Sequence, residues 1–272
     1  MVDFVFLDSG TGGIPYLMHL LEIKPDAKCV YVGDTANFPY GEKNHEQIVS
    51  AVLNCVKVII EKFSPKVIVL ACNTMSVNSL DVLREVFPNQ IFVGTVPAIK
   101  LAAKVSKRRK IGLLATKATV EHPYNKDLKN HFAQDCQMFL RGDPKLISFI
   151  EHESFTATSS EREEACKEAV KYFAQKDCDV IILGCTHFLN IKKEMQKVCG
   201  SDIQVVDSVE GVVNRALDVF SKIQKTNDGN ESKINTNYRA KLFVTGFNDK
   251  KDKKEYDEIC SRYKLEFGGI LI

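Results

Sequence analysis

The chain has 272 residues, 44% hydrophobic and 26% charged, with a formal net charge of +2. That length allows one large α/β domain or two smaller ones with a sizeable core, and the near-neutral balance argues against nucleic acid or an anionic membrane as partner. No apolar run approaches the roughly 20 residues that span a bilayer, and the N-terminal Met-Val-Asp-Phe-Val-Phe-Leu-Asp lacks the basic flank of a signal peptide, so a cytoplasmic location is expected.

Along the chain, short β-branched runs alternate with amphipathic stretches, the pattern of a parallel sheet covered by helices. Strands are expected at residues 2–7, 29–32, 67–71, 91–94, 111–115, 180–184, 204–206 and 241–245. Their near-continuous apolar character fits a sheet buried on both faces. After the first strand comes Asp8-Ser9-Gly10-Thr11-Gly12-Gly13, whose glycines allow close backbone approach and leave N–H groups to hold an anion. It is not a dinucleotide fingerprint: Pro15 occupies the place of the third Gly, and no acid stands where a ribose ligand belongs. The loop 33–41 follows the second strand and carries Asp34, Tyr40 and Gly41, equally a turn around a buried Tyr or a binding loop. Apolar residues at helical spacing predict a helix over 51–63, stopped by Ser64-Pro65. The basic run 107–110 has no aromatic or Gly-rich loop beside it and is expected to be a solvated helix end. Thr116 and Thr119 after the fifth strand offer hydroxyls, and Glu151 and His152 offer a carboxylate and an imidazole. A second helix is expected over 160–174, capped at Ser159-Ser160 with Glu161, Glu163 and Glu164 on its positive end. The polar stretch 225–237 is expected to be a surface loop.

Nine cysteines stand at 29, 55, 72, 136, 166, 178, 185, 199 and 260, never closer than seven residues. Without a Cys-x-x-Cys, neither a structural zinc site nor a dithiol redox pair is written locally. In a reducing compartment most are expected to be small buried hydrophobes. Two escape that expectation through a weak internal repeat. Val67-Ile-Val-Leu-Ala-Cys72-Asn-Thr74 and Val180-Ile-Ile-Leu-Gly-Cys185-Thr-His187 share a buried strand, a small residue, a Cys, and polar residues where a helix should begin. Their separation of 113 residues, close to half the chain, predicts two similar α/β lobes, each presenting its Cys at the carboxyl end of a central strand.

Such a junction lies near backbone N–H groups and a positive helix end, which favour thiolate. Asn73, Thr74, Thr186 and His187 add donors able to grip a carboxylate. A thiol nucleophile needs a His base and an orienting group; His187 lies two residues from Cys185, but no His accompanies Cys72. Matched thiols suit a different chemistry, in which one group removes a proton from one face of a stereocentre and the other delivers one to the opposite face. A Cα proton is far less acidic than any side chain, so the site must also stabilise the developing carbanion with desolvated donors around the α-carboxylate.

Six ordered segments then carry a specific resemblance: Asp8-Ser9-Gly10-x-Gly12-Gly13, Gly33-Asp34-x-x-x-x-Pro39-Tyr40-Gly41, Ala71-Cys72-Asn73-Thr74, Ala115-Thr116-Lys117-Ala118-Thr119-Val120, Phe149-Ile150-Glu151 and Gly184-Cys185-Thr186-His187. Together they resemble glutamate racemase, in the Asp/Glu racemase superfamily. The resemblance implies an isomerase that works without cofactor or metal and supplies D-glutamate for peptidoglycan. It implies two similar, pseudo-two-fold-related α/β lobes, each a mainly parallel sheet flanked by helices. One would comprise residues 1–96 plus 208–272 and the other 97–207, with the active site between them. By position, Cys72 and Cys185 would be the acid/base thiols, Asp8 assisting the first, Glu151 and His187 the second. Asp8, Ser9, Tyr40, Gly41, Asn73, Thr74, Thr116, Thr119, Thr186 and His187 would bind substrate. Glutamate is the implied small-molecule partner, and a homodimer is a candidate assembly because many relatives are dimers.

The chain departs from the family pattern at His122-Pro123-Tyr124, at Phe188-Leu189, and at Asp143-Pro144 where Cys-Pro is frequent. The first departure bears on recognition of the side-chain carboxylate. Rival readings are an aspartate or other racemase of the superfamily, an idle amino-acid-binding regulator, and a cysteine hydrolase. The idle regulator leaves the paired thiols unexplained, and the hydrolase leaves Cys72 unexplained.

Overall fold

The computed structural model describes residues 2–224, 240–247 and 250–271, so the polar stretch 225–237 lies outside the described residues. The chain divides into two compact units: Met1–Tyr40, His45–Thr95 and Val209–Ile272 form the first, Gly41–Asn44 and Val96–Ser208 the second. In chain order the described strands are β1 (Phe4–Asp8), β2 (Cys29–Gly33), β3 (Val67–Leu70), β4 (Ile91–Gly94), β5 (Lys110–Ala115), β6 (Gln137–Gly142), β7 (Val180–Leu183), β8 (Gln204–Val206), β9 (Lys241–Val244) and β10 (Glu266–Ile270).

The first unit holds a six-stranded parallel sheet in the order β10-β9-β2-β1-β3-β4. One face packs Val5, Leu7, Val30, Val32, Ile68 and Leu70 against the helix His45–Phe63, through its Ile48, Val52, Val56 and Ile59. The alternate residues Phe4, Phe6, Tyr31, Val67 and Val69 are equally buried on the other face, where the Phe4 ring lies 4.7 Å from Phe220 of the helix Val209–Gln224. With both faces covered, period-two alternation vanishes and the strands read as continuous apolar runs.

The second unit repeats the core of this plan as a four-stranded parallel sheet, β6-β5-β7-β8. Ile181 and Leu183 join one core cluster while Val180 and Ile182 join another, so β7 is buried on both faces too. The order β2-β1-β3-β4 corresponds to β6-β5-β7-β8. In each sheet the chain leaves the central strand for one neighbour and then returns on its other side, and this reversal opens a ligand crevice at the strands' carboxyl ends.

Backbone hydrogen bonds make the correspondence residue by residue. Ala71 N–H donates to Leu7 O (2.8 Å) as Gly184 N–H donates to Leu114 O (2.7 Å). Asp34 N–H donates to Asp8 O (2.7 Å) as Asp143 N–H donates to Ala115 O (3.2 Å). Asp8 therefore corresponds to Ala115, Ser9 to Thr116, Cys72 to Cys185, and Thr74 to His187.

Several expectations change in detail. The helix expected from 51 begins at His45, and Ile48 extends the buried spacing Val52, Val56 and Ile59 back by one turn behind a polar start at His45-Glu46-Gln47. The helix Ser159–Gln175 is capped one residue earlier than expected, by Thr158, whose hydroxyl and Glu161 form a reciprocal capping box. The basic run is not simply solvated: Arg108 and Lys110 both pair with Asp177 at 3.1 Å, and Asp179 accepts from the N–H groups of Lys107 (2.6 Å) and Arg108 (2.8 Å). Among the described residues, no helix is long and apolar enough to cross a membrane.

Candidate active site

All nine cysteines are free and buried. Burial, the largest influence on each, pushes the thiols of Cys166, Cys178 and Cys199 up to about 12 and that of Cys260 to about 11. It also raises Cys29, Cys55 and Cys136. These seven are inert packing groups at neutral pH. Cys72 and Cys185 sit differently. Each is the extended residue immediately before a helix, at φ −143°, ψ 121° and φ −135°, ψ 137° respectively. The expected α-helix follows only Cys72, as Asn73–Val86; after Cys185 comes a 3₁₀ turn, Thr186–Ile191, and then the helix Lys192–Cys199.

At the first strand end, Asp8 is fully buried and accepts from its neighbour Ser9 twice, from the backbone N–H at 2.5 Å and the hydroxyl at 3.1 Å. The Ser9 hydroxyl lies 4.0 Å from the Cys72 sulfur. Close packing fixes this group. A Cβ on Gly13 would come within 2.7 Å of the Ala71 Cβ and 2.8 Å of both the Ala71 carbonyl oxygen and the Asp8 carboxylate, so close packing against Ala71 and Asp8 requires a glycine there. Gly13 N–H donates to the Tyr31 hydroxyl (3.2 Å), which donates to Gly10 O (2.8 Å), so part of the glycine run expected to hold an anion is engaged internally. Asn73 is 2% exposed, and among the described residues neither its amide nitrogen nor its oxygen has a hydrogen-bond partner. A buried amide left so costs about 1–3 kcal/mol per group, which a bound polar ligand would recover. Thr74 is buried beside it.

At the second strand end, the Cys185 sulfur lies 3.4 Å from His187 Nδ1, and His187 Nε2 lies 2.8 Å from a Glu151 carboxylate oxygen. All three residues are buried. Burial alone would disfavour a charged imidazole, but the Glu151 carboxylate and the Cys185 sulfur outweigh it and hold the His187 pKa well above its ordinary value. An imidazolium donates from both nitrogens, so it supports a thiolate on one side while the carboxylate orients it on the other. Thr186 is 1% exposed between them in sequence. Thr116 caps the short helix Lys117–Glu121, accepting from Thr119 N–H (3.1 Å) and donating to the Thr119 hydroxyl (2.9 Å). Gly41 lies against Thr116: a Cβ on Gly41 would approach the Thr116 Cβ to 2.9 Å. His152, the neighbour of Glu151, is exposed, unlike Glu151.

The comparisons with known proteins agree with this geometry. The family model described as Asp/Glu/Hydantoin racemase matches residues 19–216. A glutamate racemase of Treponema pallidum is 37% identical over 270 residues, covering 99% of this chain and 96% of that protein. The chain belongs to the glutamate racemase family. It is accordingly an isomerase. A second relative, the glutamate racemase of Glaesserella parasuis, is 38% identical over 84% of each chain. Among solved structures, Escherichia coli glutamate racemase in complex with L-glutamate and the activator UDP-MurNAc-Ala superposes with a TM-score of 0.85 at 28% identity, covering 99% and 98% of the two chains.

The departures from the family pattern all have structural places. Leu189, the departing residue after Phe188, is partly buried and packs against the core cluster that holds Phe188. His122 ends the Lys117–Glu121 helix, and its Nδ1 accepts from Tyr124 N–H (3.2 Å). Asp143 caps the helix Pro144–His152, the element that carries Glu151, by accepting from Leu146 N–H at 3.1 Å. An Asp-Pro pair is a helix-start signal and marks this cap in the sequence. Tyr31 carries no such signal, lying within an apolar strand.

Proposed function

We propose that the chain interconverts L- and D-glutamate with Cys72 and Cys185 acting on opposite faces of Cα. One thiolate takes the Cα proton and becomes a thiol, while the other thiol gives its proton to the opposite face and becomes a thiolate. The reverse direction exchanges the two roles, and no external oxidant, reductant or electrophile enters the balance. Asp8 assists proton movement at Cys72, and His187 with Glu151 does so at Cys185. Asn73, Thr74 and Thr186 hold the substrate α-carboxylate, and their buried donors stabilise the carbanion as charge develops. Ser9, Tyr40, Gly41, Thr116 and Thr119 complete substrate recognition. The observation that carries this reading is the placement of two cysteines at corresponding strand ends, Cys72 beside the Ser9 hydroxyl that donates to Asp8 and Cys185 beside the His187–Glu151 pair.

The family reading carries with it a wider setting: a cytoplasmic enzyme working without cofactor and supplying D-glutamate for peptidoglycan, with a homodimer as the candidate assembly. The hydrolase reading gains an imidazole and a carboxylate beside Cys185, but it assigns nothing to Cys72, Asp8 or the orphaned Asn73 amide. Incubating the protein separately with L-glutamate, L-aspartate and L-alanine, and following optical rotation, tests the assignment. Loss of rotation with glutamate alone is expected; racemisation of aspartate in preference would replace the substrate, and no racemisation of any would leave the binding reading.

A further inference from the structure

The loop between β2 and the Tyr40-Gly41 turn is fastened from an unexpected direction. Asp34, at the carboxyl end of β2, is fully buried. It accepts from the Tyr40 hydroxyl, from the Thr245 hydroxyl (2.6 Å) and from the Asn37 amide, which reaches both carboxylate oxygens at 3.1 Å. Thr245 immediately follows β9, in the C-terminal segment, beyond the stretch that the family model matches. Its hydroxyl also accepts from Ala36 N–H (3.0 Å), while its N–H donates to Gly33 O (3.0 Å). Thr35 reinforces the seam by donating to Gly246 O at 2.5 Å.

We propose that Thr245 is a positioning residue for substrate binding, acting through Asp34 on the Tyr40-Gly41 turn. The inference rests on the reading of that turn as part of the substrate site. The directionality of the hydrogen bonds carries it. Thr245 gives its only hydroxyl proton to Asp34, and Tyr40 gives its only phenolic proton to the same carboxylate. Burial and Asp34 together push the Tyr40 phenol far up, so that proton stays in place. The phenol therefore cannot donate to a substrate carboxylate. It serves as a strut, and carboxylate recognition at this turn falls to backbone N–H groups whose placement the Thr245–Asp34–Tyr40 chain sets. A device that places ground-state binding groups changes KM more than kcat.

The test compares Thr245→Val, which keeps the shape and removes the hydroxyl, with Thr245→Ser, which keeps the hydroxyl. Steady-state glutamate racemisation and thermal melting are measured on the full chain. Thr245→Val is expected to raise KM about tenfold for both enantiomers, the effect of leaving Asp34 and Ala36 N–H short of one partner each, with kcat within about threefold, and Thr245→Ser to restore KM. A Thr245→Val protein that melts earlier but keeps the KM of the starting protein would overturn the proposal, reducing Thr245 to a structural residue. An equal fall in kcat and kcat/KM would also overturn it. If Thr245→Val does not fold, Asp34→Asn gives the same reading, with the same KM rise expected and an unchanged KM contradicting it. Failure of the functional reading shows separately, as a starting protein that does not racemise glutamate. Calorimetric binding of glutamate to the same pair of proteins then decides the positioning claim.

Discussion

At the end of β3, Cys72 faces the Ser9 hydroxyl, which donates to the Asp8 carboxylate; at the end of β7, Cys185 has an imidazole backed by a carboxylate. The two cysteines correspond in topology and in backbone conformation, yet their helpers occupy different places in the repeat. Asp8 lies at the end of β1, where the second unit has Ala115. His187 lies two residues beyond Cys185, where the first unit has Thr74. Glu151 reaches His187 from the helix Pro144–His152, and its counterpart region in the first unit is the loop that carries Asp34 and Tyr40. The fold repeats the position of the thiol but not the ionisable groups around it.

This contrast between the half-sites is most exposed to test at the sulfurs. Replacing either Cys72 or Cys185 by Ala should lower kcat for racemisation by at least about 10³-fold, the scale of a directly acting acid or base. The two losses should be similar although the surroundings differ, and a single variant that kept full racemisation would leave the other cysteine as a packing residue. A smaller effect probes the second half-site. Glu151→Gln should lower kcat on the order of tenfold to a hundredfold, less than loss of the proton carrier itself. It should also change how stability depends on pH. The folded pKa of His187 lies above its unfolded value of 6.5. Its contribution to stability is therefore complete below about pH 6.5 and is lost as pH rises through the folded value. Melting curves from about pH 6 upward should show that loss in the starting protein and a flatter dependence in Glu151→Gln. Equal slopes would mean that the carboxylate does not sustain the imidazolium. The smallest effect belongs to the cap. Asp143→Ala should cost about 1 kcal/mol of stability and lower kcat by less than about threefold, since it loosens the start of the helix that carries Glu151.

The strands that the sequence displays most clearly are those buried on both faces, such as β3 and β7. The two missed strands, β6 and β10, are sheet edges. β6 is exposed or part-exposed along its length, and its three apolar residues Met138-Phe139-Leu140 make too short a run to announce a buried strand, while β10 contains Gly268-Gly269, which weakens any strand pattern. An edge strand is specified by the neighbour it pairs with, and its own apolar content says little. The site divides in the same way. Cys72, Cys185 and their flanking donors are legible because a strand followed by a polar helix start is a local pattern. The Glu151–His187 contact joins an α-helix and a 3₁₀ turn 36 positions apart in sequence, and Thr245 reaches Asp34 across 211 positions. Only the assembled sheets bring those partners together. Gly13 shows the converse case: its glycine is legible, but the reason for it, contact with Ala71 and Asp8, is not.

The central claim is that two separate groups serve the two faces of Cα, and first-turnover labelling in heavy water tests it most directly. L-glutamate and D-glutamate are converted separately in deuterated buffer, and product and remaining substrate are analysed at low conversion. Two opposed thiols predict that each product molecule carries solvent deuterium at Cα while the recovered substrate is still protiated, in both directions. Product that retains the original hydrogen would mean one group working both faces, and would contradict the account.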